Sequence, residues 1–363
     1  MFLTYLKKGE TRDMFSELIR RSRRITRDEF AATFGGIADD VVEMLDSEQA
    51  RQITREAREA MESSGPLPGG RPRLRQVEFG LFSNAPELEQ GHVAAVDGTP
   101  ALPLQMYSSG QALCVGIGSI SHRRPLQDSL HYWSGRAYLS DSTDTNDFIA
   151  RQEQALFGIS STAYLRYFEV RHGLELEEPY IFFDGTLVYE WLVAIQEGVS
   201  LYDTLFSSGK QCIGVMKNIK ANVIFSTFAR ALRTGELYII ETLEDHLLNS
   251  NVPNRNQGER SRGTLPSFLH NYAPHIFRGI FKPRNKVFGF EVHEDHLENM
   301  LRMMGADCQM NHAGHEIPFL LNRVDEEVRR NFNARILQDR IALQMATESE
   351  ELFFEEMNER TFR

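Results

Sequence analysis

The 363-residue sequence predicts an α/β fold, a mixed sheet flanked by helices. Three observations carry this reading. Val93-Ala94-Ala95-Val96 runs unbroken into Asp97-Gly98-Thr99. Tyr180-Ile181-Phe182-Phe183 runs in the same way into Asp184-Gly185-Thr186. Short apolar runs bounded by turn residues read as buried strands. Strands with short connections come first and strands alternating with helices follow, so antiparallel and parallel pairing are mixed.

Residues 10–64 carry helical spacing. Phe15, Leu18 and Ile19 share one stripe, and Ile37, Val41, Val42 and Leu45 share another. The run Arg20-Arg21-Ser22-Arg23-Arg24 with Arg27 is strongly basic. It fits a solvated helix face, or a contact to DNA phosphates or an acidic partner. The Gly- and Pro-rich stretch 64–73 reads as a linker that closes an N-terminal helical region, 1–73. A sheet domain, 74–347, follows. Strands are expected at 91–97, 101–108 and 111–120, then a polar loop over 121–147 with Asp128, Asp141, Asp144 and Asp147. A helix from 147 to 172, a strand at 179–184, a helix over 187–207 and a strand at 210–217 come next. Residues 222–248 read as mainly helical, and the almost wholly polar 249–263 reads as a loop. Residues 276–281 and 286–292 read as an inserted hairpin, made basic by Arg278, Lys282, Arg284 and Lys286. A helix over 318–346 ends the domain, and 348–363 form an acidic tail.

Composition narrows the class. With 41% hydrophobic and 25% charged residues the chain can build one large or two ordinary domains. It has no apolar run of 18 residues, so no membrane span is expected. Met1–Lys8 lacks the apolar core and cleavage site of a signal peptide. Cys114, Cys212 and Cys308 lie far apart without metal-ligand spacing, which fits a reducing, cytoplasmic setting. The net charge of −11 argues against coating nucleic acid by bulk electrostatics. It is compatible with an enzyme that gathers acids at a metal site and cations in one groove.

Two strands that each deliver a carboxylate to one sheet edge make a self-repelling pair unless a cation sits between them. Each taken alone is also a plain Asp-Gly turn. Glu169 lies near the end of its helix, where it can reach a cation or pair with Arg166 or Arg171. Asp325 borders the apolar face made by Phe319, Leu320, Leu321 and Val324; its partner is either Arg329, at i+4, or a metal. Lys217, at a strand end, can hold a phosphate or balance the charge of Asp97 or Asp184. Phe182-Phe183-Asp184-Gly185-Thr186 looks like the opening motif of haloacid-dehalogenase-type phosphatases, but Phe182 stands where the nucleophilic aspartate belongs. Asp97-Gly98-Thr99 also has some likeness to the first phosphate loop of actin-like kinases, though without its Asp-x-Gly-x-Thr spacing. A mixed sheet with acids on its first and fourth strands is the layout of the ribonuclease H-like fold.

Over residues 91–330 the chain resembles the NurA nuclease family. Val93–Thr99 resembles its opening "VDGS" strand, and Arg166–Glu169 the helix that supplies its glutamate. Phe183–Leu187 resembles its "DGSL" strand, and Ile213–Lys217 its "IGVSK" strand. Ile317–Asp325 resembles its closing segment, with Ile317 where a tyrosine is common and Thr for Ser at 99 and 186. The resemblance implies a manganese- or magnesium-dependent, two-ion DNA end-processing nuclease. It implies a homodimer that works with a HerA-type hexameric ATPase, in DNA repair or anti-phage defence. It also implies Asp97, Glu169, Asp184 and Asp325 as metal ligands, with Lys217 beside them. Two other classes stay open: a nuclease-like docking subunit of an ATPase complex with weak or no activity, and an actin-like phosphotransferase. Divalent-ion-dependent DNA cleavage separates the first pair, and ATP binding by the isolated chain marks the third.

Overall fold

The computed structural model describes residues 43, 47–67, 70–77, 79, 84–105, 110–136, 156–193, 195–220, 222–249, 264–311, 316–332, 339–340, 343–344 and 346–348. The basic run 20–27, the apolar stripes expected before residue 46, the aspartates at 141, 144 and 147, most of the polar loop 249–263 and most of the acidic tail lie outside them. The chain divides into two compact units, Met1–Glu56 and Ala57–Arg363. Nearly all that is described of the first is the start of helix α1 (Glu48–Glu62). There Ser47 Oγ accepts from Ala50 N at 3.2 Å, and Arg55 pairs with Glu48 at 2.6 Å on the surface.

The second unit is built on a sheet. In chain order its elements are β1 (Leu74–Gln76), α2 (Pro86–Glu89), β2 (Val93–Gln105), β3 (Gly110–Ser121) and β4 (Gln127–Arg136). Then come α3 (Leu156–Glu175), β5 (Tyr180–Asp184), α4 (Gln196–Ser207), β6 (Gln211–Met216), α5 (Val223–Ala229) and β7 (Glu236–Thr242). The remainder are α6 (Leu243–Asn249), α7 (Thr264–Asn271), β8 (Ile276–Phe281), β9 (Phe288–His293), α8 (Leu297–Cys308) and α9 (Phe319–Asn331). The strand order is β1-β7-β8-β9-β6-β5-β2-β3-β4. Within it β4, β3 and β2 are antiparallel, and β5 and β6 run parallel to β2. That block has the ribonuclease H-like order. β9, β8, β7 and β1 extend it by antiparallel pairing.

Alternation along the strands divides the core in two. Val93, Ala95, Phe182, Ile213 and Val215 pack on one face with Leu301 and Met304 of α8 and Leu320, Val324 and Val328 of α9. Ala94, Val96, Ile117, Ile181 and Phe183 pack on the other with Val170 of α3 and Tyr202 and Leu205 of α4. Each of the larger of these, Val, Leu, Ile, Phe or Met, contributes roughly 1.5–3 kcal/mol when buried. That is why these runs, apolar on both faces, sit in the middle of the sheet.

Several expectations are corrected. The strands expected at 91–97 and 101–108 are one strand, β2, with a register shift between Pro100 and Leu102. A strand, β4, occupies part of the expected loop 121–147. Among the described residues it is an edge strand with only β3 beside it, so polar Asp128 and Ser129 cost little there. Helix α4 begins at Gln196 rather than near 187; residues 185–187 first pass over Gly214 of β6. The mainly helical reading of 222–248 contains strand β7. Helix α8 lies where the sequence reading has no element. The expected hairpin forms as β8 and β9, but both are interior strands of the sheet, and Arg278 is only 4% exposed, paired with Glu291 at 2.7 Å and Glu241 at 2.5 Å.

Helix α9 is held closely to β3. A Cβ at Gly118 would lie 2.3 Å from Val328 Cγ2, and one at Gly116 would lie 2.1 Å from Phe332 Cδ2. At the other end of the helix, the fully buried Asp307 accepts from Leu320 N at 3.0 Å and lies 3.3 Å from His122 Nε2. Burial holds the Asp307 carboxyl above its ordinary range, against the pull of His122 and the helix N–H groups. Gly118→Val should therefore push α9 outward and lower stability by about 1–3 kcal/mol, the usual cost of overpacking. Urea unfolding measures it, and an unchanged midpoint would show that the helix docks elsewhere.

Candidate metal centre

Asp97 and Asp184 become neighbours through strand pairing. β2 and β5 run parallel through Val93↔Tyr180 to Val96↔Phe183, and each strand delivers its aspartate at the next position. Residues 93, 95 and 97 on β2, and 182 and 184 on β5, alternate onto the face that α9 covers. Asp97 is paired across β3 with Gly118, the glycine beneath Val328. Asp325 lies three residues before Val328 on the same side of α9. One carboxylate oxygen from each of Asp97, Asp184 and Asp325 lies within 4.8 Å of the others.

The three acids differ in surroundings. Asp97 is 6% exposed, and its Oδ1 accepts from Gly98 N at 2.8 Å. Burial first, then the charges of Asp184 and Glu169, push its carboxyl well above the ordinary aspartate range. Lys217 works against that rise, and a hydrogen bond shared with Asp325 adds to it. Asp184 Oδ2 takes Lys217 Nζ at 2.7 Å. Asp325 Oδ1 takes Arg329 Nε at 2.7 Å, so the i+4 pairing foreseen from sequence and the approach to the other two acids occur together.

Glu169 reaches the edge from the opposite face. A Cβ at Gly98 would lie 2.9 Å from Glu169 Oε1 and 2.6 Å from Leu165 Cδ1, so only glycine lets α3 come this close. Its Oε2 pairs with Arg166 Nη1 at 2.6 Å, and it is 1% exposed. Burial raises the Glu169 carboxyl and Arg166 opposes that. The group of three does not include it.

The turn after Asp184 is fixed by residues that sequence reasoning left out or read only as charge partners. Arg166 Nη1 also donates to the Asp184 carbonyl. Burial works against its charge, but Glu169 and Asp184 outweigh that. Gly185 has φ +92°, and a Cβ there would lie 2.0 Å from Arg166 Nη2. The chain then passes over Gly214 of β6, where a Cβ would come 2.1 Å from Leu187 N. Buried Glu291 accepts from Val188 N at 3.1 Å. The repeated Asp-Gly-Thr and the Gly214 position were visible in the sequence. The partners of Arg166 and Glu291 depend on contacts 18 and 103 residues apart.

All donors in the group are carboxylate oxygens, a set that suits hard divalent cations such as manganese or magnesium and not zinc or copper. Asp184 and Asp325 each keep one oxygen outside their ion pairs. The residues therefore fit a divalent ion. No helix among the described residues is long and apolar enough to cross a membrane.

No protein-family model matches the chain, and no curated protein matches it in sequence. Its structure is similar to solved structures of nucleases. The NurA nuclease from Sulfolobus solfataricus aligns over 90% of this chain and 99% of its own, at 10% identity and a TM-score of 0.49. A NurA structure with manganese aligns over 88% and 98%, at 10% identity and 0.42. Human ENDOV aligns over 78% and 98%, at 13% identity and 0.34.

Proposed function

We propose that this chain is a divalent-metal-dependent deoxyribonuclease of the NurA type. One observation carries the reading: Asp97, Asp184 and Asp325 meet within 4.8 Å at one sheet edge, and Asp97 is buried there beside the other two acids. Burying a carboxylate against others is costly unless a cation or a proton shares the site. Divalent ions bound there would activate a water and stabilise charge on the leaving oxygen. The chain's own residues do the rest. Asp97, Asp184 and Asp325 would hold the cations, two in this reading, and Glu169 would serve as an outer acid from the far face. Lys217, 2.7 Å from Asp184, is placed to take a non-bridging phosphate oxygen. Arg166 fixes the Asp184–Gly185 turn, so that the carboxylate does not swing as substrate arrives.

The motif resemblance extends the proposal to the chain's organisation. Residues 74–347 form the nuclease domain, 1–73 a helical region and 348–363 a tail. The protein acts as a cytoplasmic homodimer on DNA ends, with a HerA-type hexameric ATPase that feeds DNA to it, in repair or phage defence. A second reading, a weakly active docking subunit, draws on the ion pairs of Asp184 with Lys217 and Asp325 with Arg329, which partly neutralise the cluster without metal.

One assay decides between them. Purified chain and end-labelled DNA are mixed with manganese, magnesium or chelator. Cleavage with manganese that chelator abolishes is the expected result. DNA left intact with either metal, alone and with the ATPase, would leave only the docking role.

A further inference from the structure

The edge that carries the acids continues sideways into a run of cations. β9 pairs antiparallel with β6 from Ile213↔Val292 to Met216↔Gly289. The end of β6 and the β8–β9 turn therefore meet at the same edge as Asp184, which lies across from Val215. Lys217 and Lys220 leave β6 there, and Arg284 and Lys286 stand on the turn. A Cβ at Gly289 would lie 2.9 Å from Met216 Cε and 3.1 Å from Ile219 Cγ2, so glycine lets the segment carrying both lysines lie close against β9.

The turn is built to hold its shape. Glu316, 8% exposed, accepts from Asn285 N at 2.7 Å, Asn285 Nδ2 at 2.6 Å and Lys286 N at 2.8 Å. Burial opposes its charge, but these hydrogen bonds hold its carboxyl below the ordinary range. Thr234 Oγ1 donates to the Arg284 carbonyl at 2.8 Å. Lys286 Nζ sits 5.2 Å from the centre of the Phe288 ring. Lys217 is spoken for by Asp184, whereas Lys220, Arg284 and Lys286 form no ion pair within 4.0 Å among the described residues. Burial, then the charges of Lys217 and Lys220, push the Lys286 ammonium down. A chain of net charge −11 has ample carboxylates to neutralise such a group, yet at this turn Glu316 is turned inward to Asn285 and the Lys286 N–H.

We propose that Lys220, Arg284 and Lys286 form a track for the sugar–phosphate backbone of the nucleic acid cut at Asp97, Asp184 and Asp325, with Glu316 as the residue that positions the turn. This rests on the nuclease reading and names the groups that grip the substrate away from the reacting phosphate. Three interstrand spacings separate β2 from β9, about 14 Å, which corresponds to roughly four nucleotides of a B-form strand. The contacts are to phosphate, so they are indifferent to sequence.

The test is binding of an oligonucleotide to the full chain across a range of salt, with calcium in place of manganese to prevent cleavage. Each phosphate contact contributes about 0.9 to the slope of log affinity against log salt. The triple variant Lys220→Gln, Arg284→Gln, Lys286→Gln should lose about 2–3 from that slope and bind at least tenfold more weakly at ~0.1 M salt. Lys286→Arg alone should keep the wild-type slope. Glu316→Gln keeps every cation but loosens the turn, and should weaken binding a few-fold. A triple variant with wild-type slope and affinity overturns the track, as does a wild-type chain that binds no DNA. Manganese-dependent hydrolysis of a small chromogenic phosphodiester by wild type, too short to reach the turn, tests the nuclease reading separately. Its absence beside intact salt-dependent DNA binding would sink that reading and leave the track standing.

Discussion

Asp97→Asn and Asp184→Asn should each reduce manganese-dependent DNA cleavage by at least about a thousandfold, because metal-held chemistry supplies several kcal/mol of transition-state stabilisation and each 1.4 kcal/mol is a factor of ten. The same Asp97→Asn change should stabilise the metal-free fold. Burial and the neighbouring acids hold the Asp97 carboxyl well above its ordinary value in the folded chain. A carboxyl whose folded value is raised favours the native state most at a pH below the unfolded value, near 4, and that contribution is lost as pH rises through the folded value. With chelator present, the wild-type melting temperature should therefore fall between pH 4 and pH 7 more steeply than that of the variant. Manganese should reverse the order at pH 7, because only the wild type gains from binding it. A variant that loses activity and is also destabilised without metal would mark Asp97 as a folding residue instead.

The parts of this centre that were legible in the sequence are those written in local pattern. Val93–Asp97, Tyr180–Asp184 and Gln211–Met216 are apolar on both faces, bounded by turn residues, and buried in the middle of the sheet. Asp97 and Asp184 follow from where the first two apolar runs stop. What was not legible rests on distant contacts. Arg278 reads as one member of a basic hairpin, yet its partners Glu291 and Glu241 lie 13 and 37 residues away and make it an interior cation. Asp307 has no local signal at all, because His122 is 185 residues distant. β4 escaped because an edge strand tolerates polar residues, and β7 because it sits between two helices. Glu169 reads in the sequence as a metal ligand or a partner of Arg166 or Arg171, and it lies against Gly98. Its commitment to Arg166 and its position beneath Gly98 needed the packing of α3 on β2.

Asp325→Asn should raise the manganese concentration needed for half-maximal cleavage by about tenfold or more and lower the maximal rate. The residue is held in place by its helix. Leu320, Leu321, Val324 and Val328 bury the inner face of α9, Val328 fits over Gly118, and Asp307 caps the start. Those contacts bring Asp325, about 140 residues beyond Asp184 in sequence, within 4.8 Å of it and of Asp97. Asparagine keeps the volume and one carbonyl oxygen, so the fold and the hydrogen bond with Asp97 survive while the charge does not. The alternative role, pairing with Arg329, predicts something smaller. Arg329 is 70% exposed, and a pair of that kind is worth at most about 1 kcal/mol. In that case Asp325→Asn would leave the manganese dependence unchanged and lower stability slightly, and Arg329→Ala would do the same. If Asp325 holds metal, Arg329→Ala instead frees its Oδ1 and should lower the manganese requirement. Manganese titrations of the two variants, read in opposite directions, separate a ligand from a surface ion pair.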